Sequence, residues 1–398
     1  MQINTPTLFI EINKSEFIFL VGKLDENNIF EIIHKNKKDL KGIIENKVIN
    51  FEEIKNIIKD QLYNLEQKSD FIFKEVILVI NNFDCSIINF SGFKKLNGSQ
   101  LNKENITYIL NVLKTKISEI EKKKTILHIF NSKFILDQKN IVNLPIGLFG
   151  NFYSHELSFF LINTNDYKNL QNIFNKSNLR IKKIISKNFA EGVNLISQND
   201  NLKTFFQIDI SKNSSQIFLF ENFSLKFFQD FKFGTDLIVN DIAKITYLNK
   251  DIIKNILNSS NLINYNKENF YLEKTFFEEK NFRKIKKELI FDISKARIQE
   301  LSEIMLLKNI NCKNFLKINA PIFLRISEKS IYKNFEDCFK LCFSNKNSFK
   351  FQFYDVKDDE NFFKNVYEIV QYGWKKEAVP VVFQKKSIIT RLFDLMFR

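Results

Sequence analysis

Two stretches of the chain carry the same alternation of apolar runs and polar turns. Thr7 to Ile12 is an extended apolar run, Asn13-Lys14-Ser15-Glu16 is turn-like, and Phe17 to Val21 is apolar again up to Gly22. Much later, Phe205 to Ile210, the polar Ser211-Lys212-Asn213-Ser214-Ser215 and Gln216 to Phe220 repeat the plan, followed by a third run, Ser224 to Phe228. Each set predicts a strand–turn–strand unit. Aligned, Ile10-Glu11-Ile12-Asn13-Lys14-Ser15-Glu16 matches Ile208-Asp209-Ile210-Ser211-Lys212-Asn213-Ser214. This is an internal repeat spaced by about half the chain. On the hairpins alone, two unrelated hairpins in one α/β chain fit equally well.

Between and beyond the hairpins, strands are predicted at Glu75 to Ile80, Cys85 to Phe90, Thr125 to Phe130, Lys133 to Leu136, Glu156 to Ile162, Phe315 to Ile318 and Phe349 to Tyr354. Helical spacing marks Leu101 to Ile120, Asp166 to Phe174, Ile184 to Leu195, Asp236 to Thr246, Asp251 to Leu257, Glu278 to Leu307 and Glu360 to Trp374. Strands interspersed with helices point to an α/β or α+β chain and away from a bundle or sandwich.

The 398 residues include 45 Phe, enough apolar side chain to exclude wholesale disorder. No eighteen-residue apolar run is present and no signal peptide is visible at Met1 to Pro6, so a cytoplasmic protein is expected. Cys85, Cys312, Cys338 and Cys342 are too scattered for a disulfide framework, and His34, His128 and His155 lie too far off to complete a metal site, so no metal is assigned. The net charge of +14 changes the picture less than its size implies. Lys, Asn, Ile and Phe share A/T-rich codons, and no nucleic-acid motif accompanies the charge, so no nucleic-acid partner is expected. Asp137 with Glu156, or His128 with Asp137, lacks any accompanying nucleophile pattern and reads as structural; no catalytic residue is assigned.

Several segments in register carry a family resemblance. They are Ile126-Leu127-His128, Phe134-Ile135-Leu136-Asp137, Asn143-Leu144-Pro145-Ile146-Gly147-Leu148-Phe149-Gly150 with Glu156-Leu157, Ile208-Asp209-Ile210, Gly234 through Ala243, Ala296-Arg297-Ile298-Gln299-Glu300-Leu301, and Tyr367, Ile369 and Tyr372-Gly373. Together they resemble the bacterial cell-division FtsA family, which is actin-like. The resemblance spans nearly the whole chain. It implies an α/β, actin-like two-lobed fold of the actin/Hsp70/hexokinase type, with the family's 1C subdomain and a C-terminal amphipathic helix. It divides the chain into subdomain 1A (1–82), 1C (83–162), 1A continued (163–200), 2A (201–235), 2B (236–294), 2A continued (295–359), a return helix to 1A (360–376), a linker (377–386) and a membrane-targeting helix (387–398).

The resemblance also implies a nucleotide cleft, degenerate here, lined by Glu11, Asn13, Lys14, Asp209, Ser211, Lys212, Ser214, Gly234 and Arg297, with no cofactor assigned and ATP with Mg left open. Here the chain departs from the family. "DIGt.k" is replaced by Glu11 to Glu16, "DIGGGTtd" by Asp209 to Gln216, and the adenosine-contacting "TGGg" by Lys317-Ile318-Asn319-Ala320-Pro321. Glycines let backbone N–H groups close on phosphate. Side chains at Asn13, Ser211, Lys212 and Asn213 would occupy that space, while Lys14 or Lys212 remain able to pair with phosphate. The altered loops argue for a structural adaptor over an ATP-hydrolysing enzyme.

The C-terminal stretch is amphipathic at helical spacing. Ser387 is an N-cap candidate; Ile388, Leu392, Leu395 and Met396 share a face that Ile389, Phe393 and Phe397 extend; Thr390, Arg391, Asp394 and Arg398 lie toward the other side. Such a helix is about 18 Å long, too short to span a bilayer. With Lys385, Lys386, Arg391 and Arg398 it suits an anionic interface. The alternative is a last helix packed on its own core. The resemblance implies peripheral attachment to the cytoplasmic face of the inner membrane at the division site, binding of the FtsZ C-terminal tail through 2B with Lys284, Lys286 and Lys287 as a basic edge, contact with other division proteins, and filaments of the chain itself. Two alternatives stay open: an actin-fold ATP-dependent enzyme or chaperone, and a pilus-assembly actin-like protein. Purified protein is expected to show no ATP turnover above a Glu11→Ala control; a Mg-dependent rate that the control loses would refute this.

Overall fold

The computed structural model describes residues 5–13, 15–27, 29–44, 47–81, 83–259, 270–277, 283–346, 348–355 and 359–378. They fall into two compact units, Met1–Ile185 with Tyr367–Arg398 and Ser186–Val366.

The first unit runs β1 (Thr7–Ile12), β2 (Glu16–Leu24), β3 (Phe30–Asp39), the short pair β4 (Ile43–Ile44) and β5 (Lys47–Val48), α1 (Phe51–Ser69), β6 (Glu75–Ile80), β7 (Cys85–Lys95), α2 (Lys103–Ile120), β8 (Lys124–Leu136), β9 (Lys139–Ile141), β10 (Phe152–Asn163), α3 (Thr164–Lys176) and β11 (Arg180–Ser186). The second runs α4 (Lys187–Ser197), β12 (Phe205–Ile210), β13 (Ser215–Glu221), β14 (Ser224–Phe231), α5 (Asp236–Thr246), α6 (Lys250–Ser259), α7 (Lys287–Ser302), α8 (Lys313–Leu316), β15 (Ile322–Ile326), α9 (Lys329–Phe343) and β16 (Phe351–Phe353), and α10 (Asp359–Tyr372) closes the described chain.

Each unit is built on a five-stranded sheet with the same order. In the first it is β3-β2-β1-β6-β11, in the second β14-β13-β12-β15-β16. In both, the first strand pairs antiparallel with the second and parallel with the fourth. The repeated hairpins are therefore the visible part of a duplicated sheet.

These central strands have both faces covered, which is why they read as near-continuous apolar runs. In the first unit Leu8, Ile10 and Ile12 pack with Ile54, Ile58 and Leu65 of α1 and Leu170, Ile173 and Phe174 of α3. On the other face Phe9 meets the edge of Phe30, ring centroids 5.9 Å apart. In the second unit Ile208, Ile210, Ile217 and Leu219 pack with Ile238 and Ile242 of α5, Ile290 and Ile298 of α7, and Phe335 and Phe339 of α9. Its opposite face carries a stack, Phe205 on Phe220 at 4.8 Å and Phe220 on Phe189 at 6.5 Å. Burying each such ring contributes roughly 1.5–3 kcal/mol.

A further antiparallel sheet, β7-β10-β8-β9, is inserted in the chain between β6 and α3. Ile106, Ile109, Leu113 and Ile117 of α2 cover it, packing with Ile129, Leu157, Phe159 and Leu161. The N-terminus of α2 is closed by reciprocal Asn102–Asn105 hydrogen bonds, a capping box.

Several sequence expectations are corrected. Phe315 to Ile318 is helical, in α8 and the turn after it: the Cys312 carbonyl accepts from both Phe315 N–H and Leu316 N–H, and the strand begins only after Pro321. Ile184 to Ser186 belong to β11, and the helix starts at Lys187, after Ser186 in extended conformation. The helix expected over 278–307 begins at Lys287, because Lys286 bridges to Tyr271 as extended chain; residues 278–282 lie outside the described set. Thr125 to Leu136 is one strand, not two: Ser132 is an extra residue between the Asn131–Leu157 and Lys133–Glu156 pairs, and its hydroxyl meets that of Ser158 at 2.7 Å. Gly22 does not end β2, which continues to Leu24. Cys312 and Cys338 are buried, as small hydrophobes are.

Gly192 lies in α4 over the phenylalanine stack, where an added Cβ would come within 2.3 Å of two atoms of the Phe220 ring. Alanine would otherwise favour the helix by about 1 kcal/mol, but the ring is held between Phe205 and Phe189. Gly192→Ala is expected to destabilise the protein by about 1–3 kcal/mol, read as a lowered urea midpoint; an unchanged or raised midpoint would show that the stack yields.

Candidate functional site

Duplication sets two carboxylates at matching places, Glu11 next to last in β1 and Asp209 next to last in β12. Both are buried, at 3% and 6% exposure, because strands covered on both faces leave no solvent at those positions. Their surroundings differ.

Glu11 lies between Ile18 of β2 and Val79 of β6. The turn beyond it is closed by Asn13 N–H donating to the Glu16 carbonyl at 3.0 Å, and Asn81 N–H donates to the Ile12 carbonyl at 3.1 Å. Lys14 lies outside the described residues.

Asp209 lies between Gln216 of β13 and Arg325 of β15. The Arg325 guanidinium donates to both its oxygens, Nη2 to Oδ2 at 2.8 Å and Nε to Oδ1 at 3.2 Å. Its remaining nitrogen, Nη1, donates to Glu191 Oε1 at 2.7 Å. Glu191 is fully buried, with Lys187 Nζ 4.0 Å from the same oxygen and Gln207 Nε2 donating to Oε2 at 3.3 Å. The Tyr354 ring lies under the guanidinium at 5.4 Å. Burial alone would lower the Arg325 pKa, but Asp209 and Glu191 outweigh it and hold the group well above its usual value.

The turn after Asp209 is closed on itself and on α5. Ser211 N–H donates to the Ser214 carbonyl at 2.9 Å. The Ser211 and Lys212 carbonyls accept from Thr235 N–H and Asp236 N–H, each at 3.0 Å. These two donors lead into α5, at a helix end whose N–H groups otherwise suit an anion. A Cβ on Gly234 would lie 1.9 Å from the Ser211 oxygen, so this glycine is what lets the two segments touch.

Ser211, Lys212, Ser214 and Gly234 are thus brought together around Asp209's turn. Arg297 has other partners: on α7 it is hydrogen-bonded by Asp241 of α5 and donates to Glu300 at 2.5 Å. The Asp241 hydrogen bond raises its pKa. Lys317 to Pro321 precede β15, at the end of the strand away from the Asp209 turn, so they do not stand in for an adenosine-contacting turn. The segment that meets the Asp209 turn is Ser327, whose N–H donates to the Ile210 carbonyl at 3.0 Å. Lys287 is buried and is removed from the basic edge, while the exposed Lys284 and Lys286 lie over Tyr271 and Phe270 at 4.6 and 5.0 Å. His128 and Asp137 form no dyad: Asp137 accepts the N–H groups of Asn151 and Phe152, at 2.9 and 2.8 Å. Lys385, Lys386 and 387–398 lie outside the described residues.

Mg-ATP was the group the resemblance implied, and the second-unit residues do not fit it. Both Asp209 oxygens accept from a guanidinium, the loop lacks glycine at 211–213, and two N–H groups at the start of α5 are given to the loop's own carbonyls. Arg325, Glu191 and Tyr354 escaped the sequence reading. The available signal was an arginine inside the otherwise apolar Ile322-Phe323-Leu324-Arg325-Ile326.

No protein-family model matches the chain. A curated cell division protein FtsA of Buchnera aphidicola is 20% identical over 62% of this chain and 59% of its own length. The FtsA of Borreliella burgdorferi is 19% identical over 79% of this chain and 77% of its own. A solved chain titled a PilM-PilN type IV pilus biogenesis complex superposes with a TM-score of 0.55 at 10% identity, covering 93% of this chain and 98% of that one. The fold is actin-like and the sequence distantly FtsA-like. No helix among the described residues is long and apolar enough to cross a membrane.

In this FtsA-like chain the last described residues are clasped to the inserted sheet. Glu377 bridges antiparallel to Phe130 of β8, Asn131 N–H donates to the Lys376 carbonyl, and Ala378 N–H donates to the Ile129 carbonyl. Glu377 Oε1 meets His128 Nδ1 at 2.8 Å and Oε2 meets Lys183 Nζ at 2.7 Å. Burial alone would raise the Glu377 carboxyl pKa; His128 and Lys183 override it and hold the group at about 2. Burial lowers the His128 pKa, and Glu377 recovers only part of the shift.

Both groups have folded pKa values below their unfolded ones, so both favour the fold at higher pH. The His128 contribution is lost as pH falls below about 6.5, and the Glu377 contribution as pH falls below about 4.5 toward 2. Urea unfolding is expected to show stability falling on acidification from pH 7.5, and Glu377→Gln is expected to cost about 1–3 kcal/mol at pH 7.5 while flattening the loss below pH 5. A Gln variant with wild-type stability and an unaltered pH profile would show the clasp to be inert.

Proposed function

We propose that this protein is a non-enzymatic, FtsA-like cytoskeletal adaptor that tethers FtsZ filaments to the cytoplasmic face of the inner membrane at the division site. The observation that carries the reading is the duplicated five-stranded sheet with an additional α2-covered sheet inserted between β6 and α3, joined to similarity with two curated FtsA proteins. In this reading the inserted sheet is subdomain 1C and serves head-to-tail self-association and contact with other division proteins. Residues 236–294, including α5 and α6, are subdomain 2B and take the FtsZ C-terminal tail, with the exposed Lys284 and Lys286 forming a basic edge. The amphipathic 387–398 segment lies in the anionic interface.

Each buried apolar side chain of that segment contributes at most roughly 1.5–3 kcal/mol, and folding a short helix at the surface offsets part of this. A single copy therefore binds lipid reversibly, and filaments of many copies bind firmly. The PilM-PilN neighbour is compatible with a second reading, pilus assembly, in which the amphipathic C-terminal segment is not called for.

Co-sedimentation with anionic vesicles separates the two. The full chain is expected to pellet with vesicles and to recruit an FtsZ C-terminal peptide. Deletion of 387–398 is expected to abolish pelleting and leave peptide binding intact. Equal pelleting of the deletion would remove the membrane role, and a PilN-class partner bound in place of the FtsZ peptide would favour pilus assembly.

A further inference from the structure

The repeated topology makes an internal control available. Glu11 and Asp209 occupy the same place in the two sheets, yet the residue beside Glu11 on the parallel strand is Val79 and the one beside Asp209 is Arg325. An arginine at this point is thus a property of the second unit and not of the sheet plan. We propose that Arg325 is a built-in counter-cation that takes the place a nucleotide-bound magnesium ion would have at Asp209, so that the second unit keeps its fold and its hairpin turn without Mg-ATP. This rests on the actin-like fold and not on the membrane or FtsZ reading, which stand or fall separately.

The geometry is that of a fork on a carboxylate. Two guanidinium nitrogens cover the two Asp209 oxygens at 2.8 and 3.2 Å and the third reaches Glu191 at 2.7 Å. This planar match is specific to arginine. Arg325 pairs with both Asp209 and Glu191, and Lys187 adds a second cation at Glu191. A magnesium ion needs oxygen ligands at about 2.0–2.1 Å. It would compete with Arg325 for the same lone pairs. The guanidinium is also fixed: it sits within the β12–β15 ladder, over the Tyr354 ring, and is not carried on a loop that could swing away.

The test follows the thermal unfolding midpoint of the full chain in EDTA, in millimolar Mg²⁺, in ATP with EDTA, and in Mg-ATP. The wild type is expected to give one midpoint, within about 1 °C, in all four. Arg325→Met takes from Asp209 its guanidinium partner and leaves Glu191 the 4.0 Å contact with Lys187; it is expected to lower the midpoint by about 10 °C. Mg²⁺ is expected to return part of this loss, which it does not do in the wild type. Should Arg325→Met not fold, the triple variant Arg325→Met, Asp209→Asn, Glu191→Gln removes all three facing charges and is expected to fold, with no response to Mg²⁺. A wild-type midpoint raised by Mg-ATP and no longer raised after Asp209→Asn would overturn the proposal. So would a rise with ATP in EDTA that Arg325→Met abolishes, since Arg325 would then be a phosphate ligand. An Arg325→Met midpoint equal to wild type would also overturn it, as would a triple variant that fails to fold or that responds to Mg²⁺.

Discussion

A carboxylate on a strand whose two faces are both covered must be neutralised by something within reach. Water cannot do it, and leaving the charge unpaired would cost several kcal/mol. In the second unit that constraint falls on Asp209 and is met by Arg325 from the adjacent parallel strand, with Glu191, Lys187 and Gln207 completing the network. Much of the local architecture follows. β15 must stay in register with β12, α4 must present Glu191 from its buried face, and Tyr354 just past β16 must lie over the guanidinium.

The segments that link this chain to the FtsA family turn out to be packing devices as much as ligand devices. Gly234 allows the Asp209 turn to rest on the start of α5, and Arg297 of α7 donates both to Asp241 of α5 and to Glu300 on its own helix. Two resembling motifs, separated by more than fifty residues in the chain, are therefore one clamp between two helices. The inserted sheet is also held along β8, where Lys376 to Ala378 pair with Ile129 to Asn131 and the buried Glu377 carboxylate joins His128 to Lys183.

Central strands were legible in the sequence because they are buried on both faces: Thr7–Ile12, Glu75–Ile80 and Phe205–Ile210 announce themselves as apolar runs bounded by polar turns. Other elements were legible in principle and passed over. The helical stripe Ile54, Ile58, Leu62, Leu65 follows Asn50, which caps α1 through Glu53 N–H, and Pro321 marks where β15 can begin. Misplaced boundaries lie where local pattern and long-range pairing disagree. Phe315 to Ile318 is a short, mostly apolar run like a strand but closes into a helical turn, and Ser132 interrupts the period of a strand that continues across it.

By itself the sequence determined the duplicated hairpins, the α/β character and the two strand-end acids, because each is a local pattern, and the family likeness, because it is a series of short motifs each local in itself. Only the tertiary structure decided what those acids do. The partners of Asp209 lie on strands and helices up to 116 residues away, and those of Glu377 up to 249. A charge buried in a sheet takes its meaning from whichever strand is folded beside it, and side-chain spacing along one segment carries no record of that neighbour.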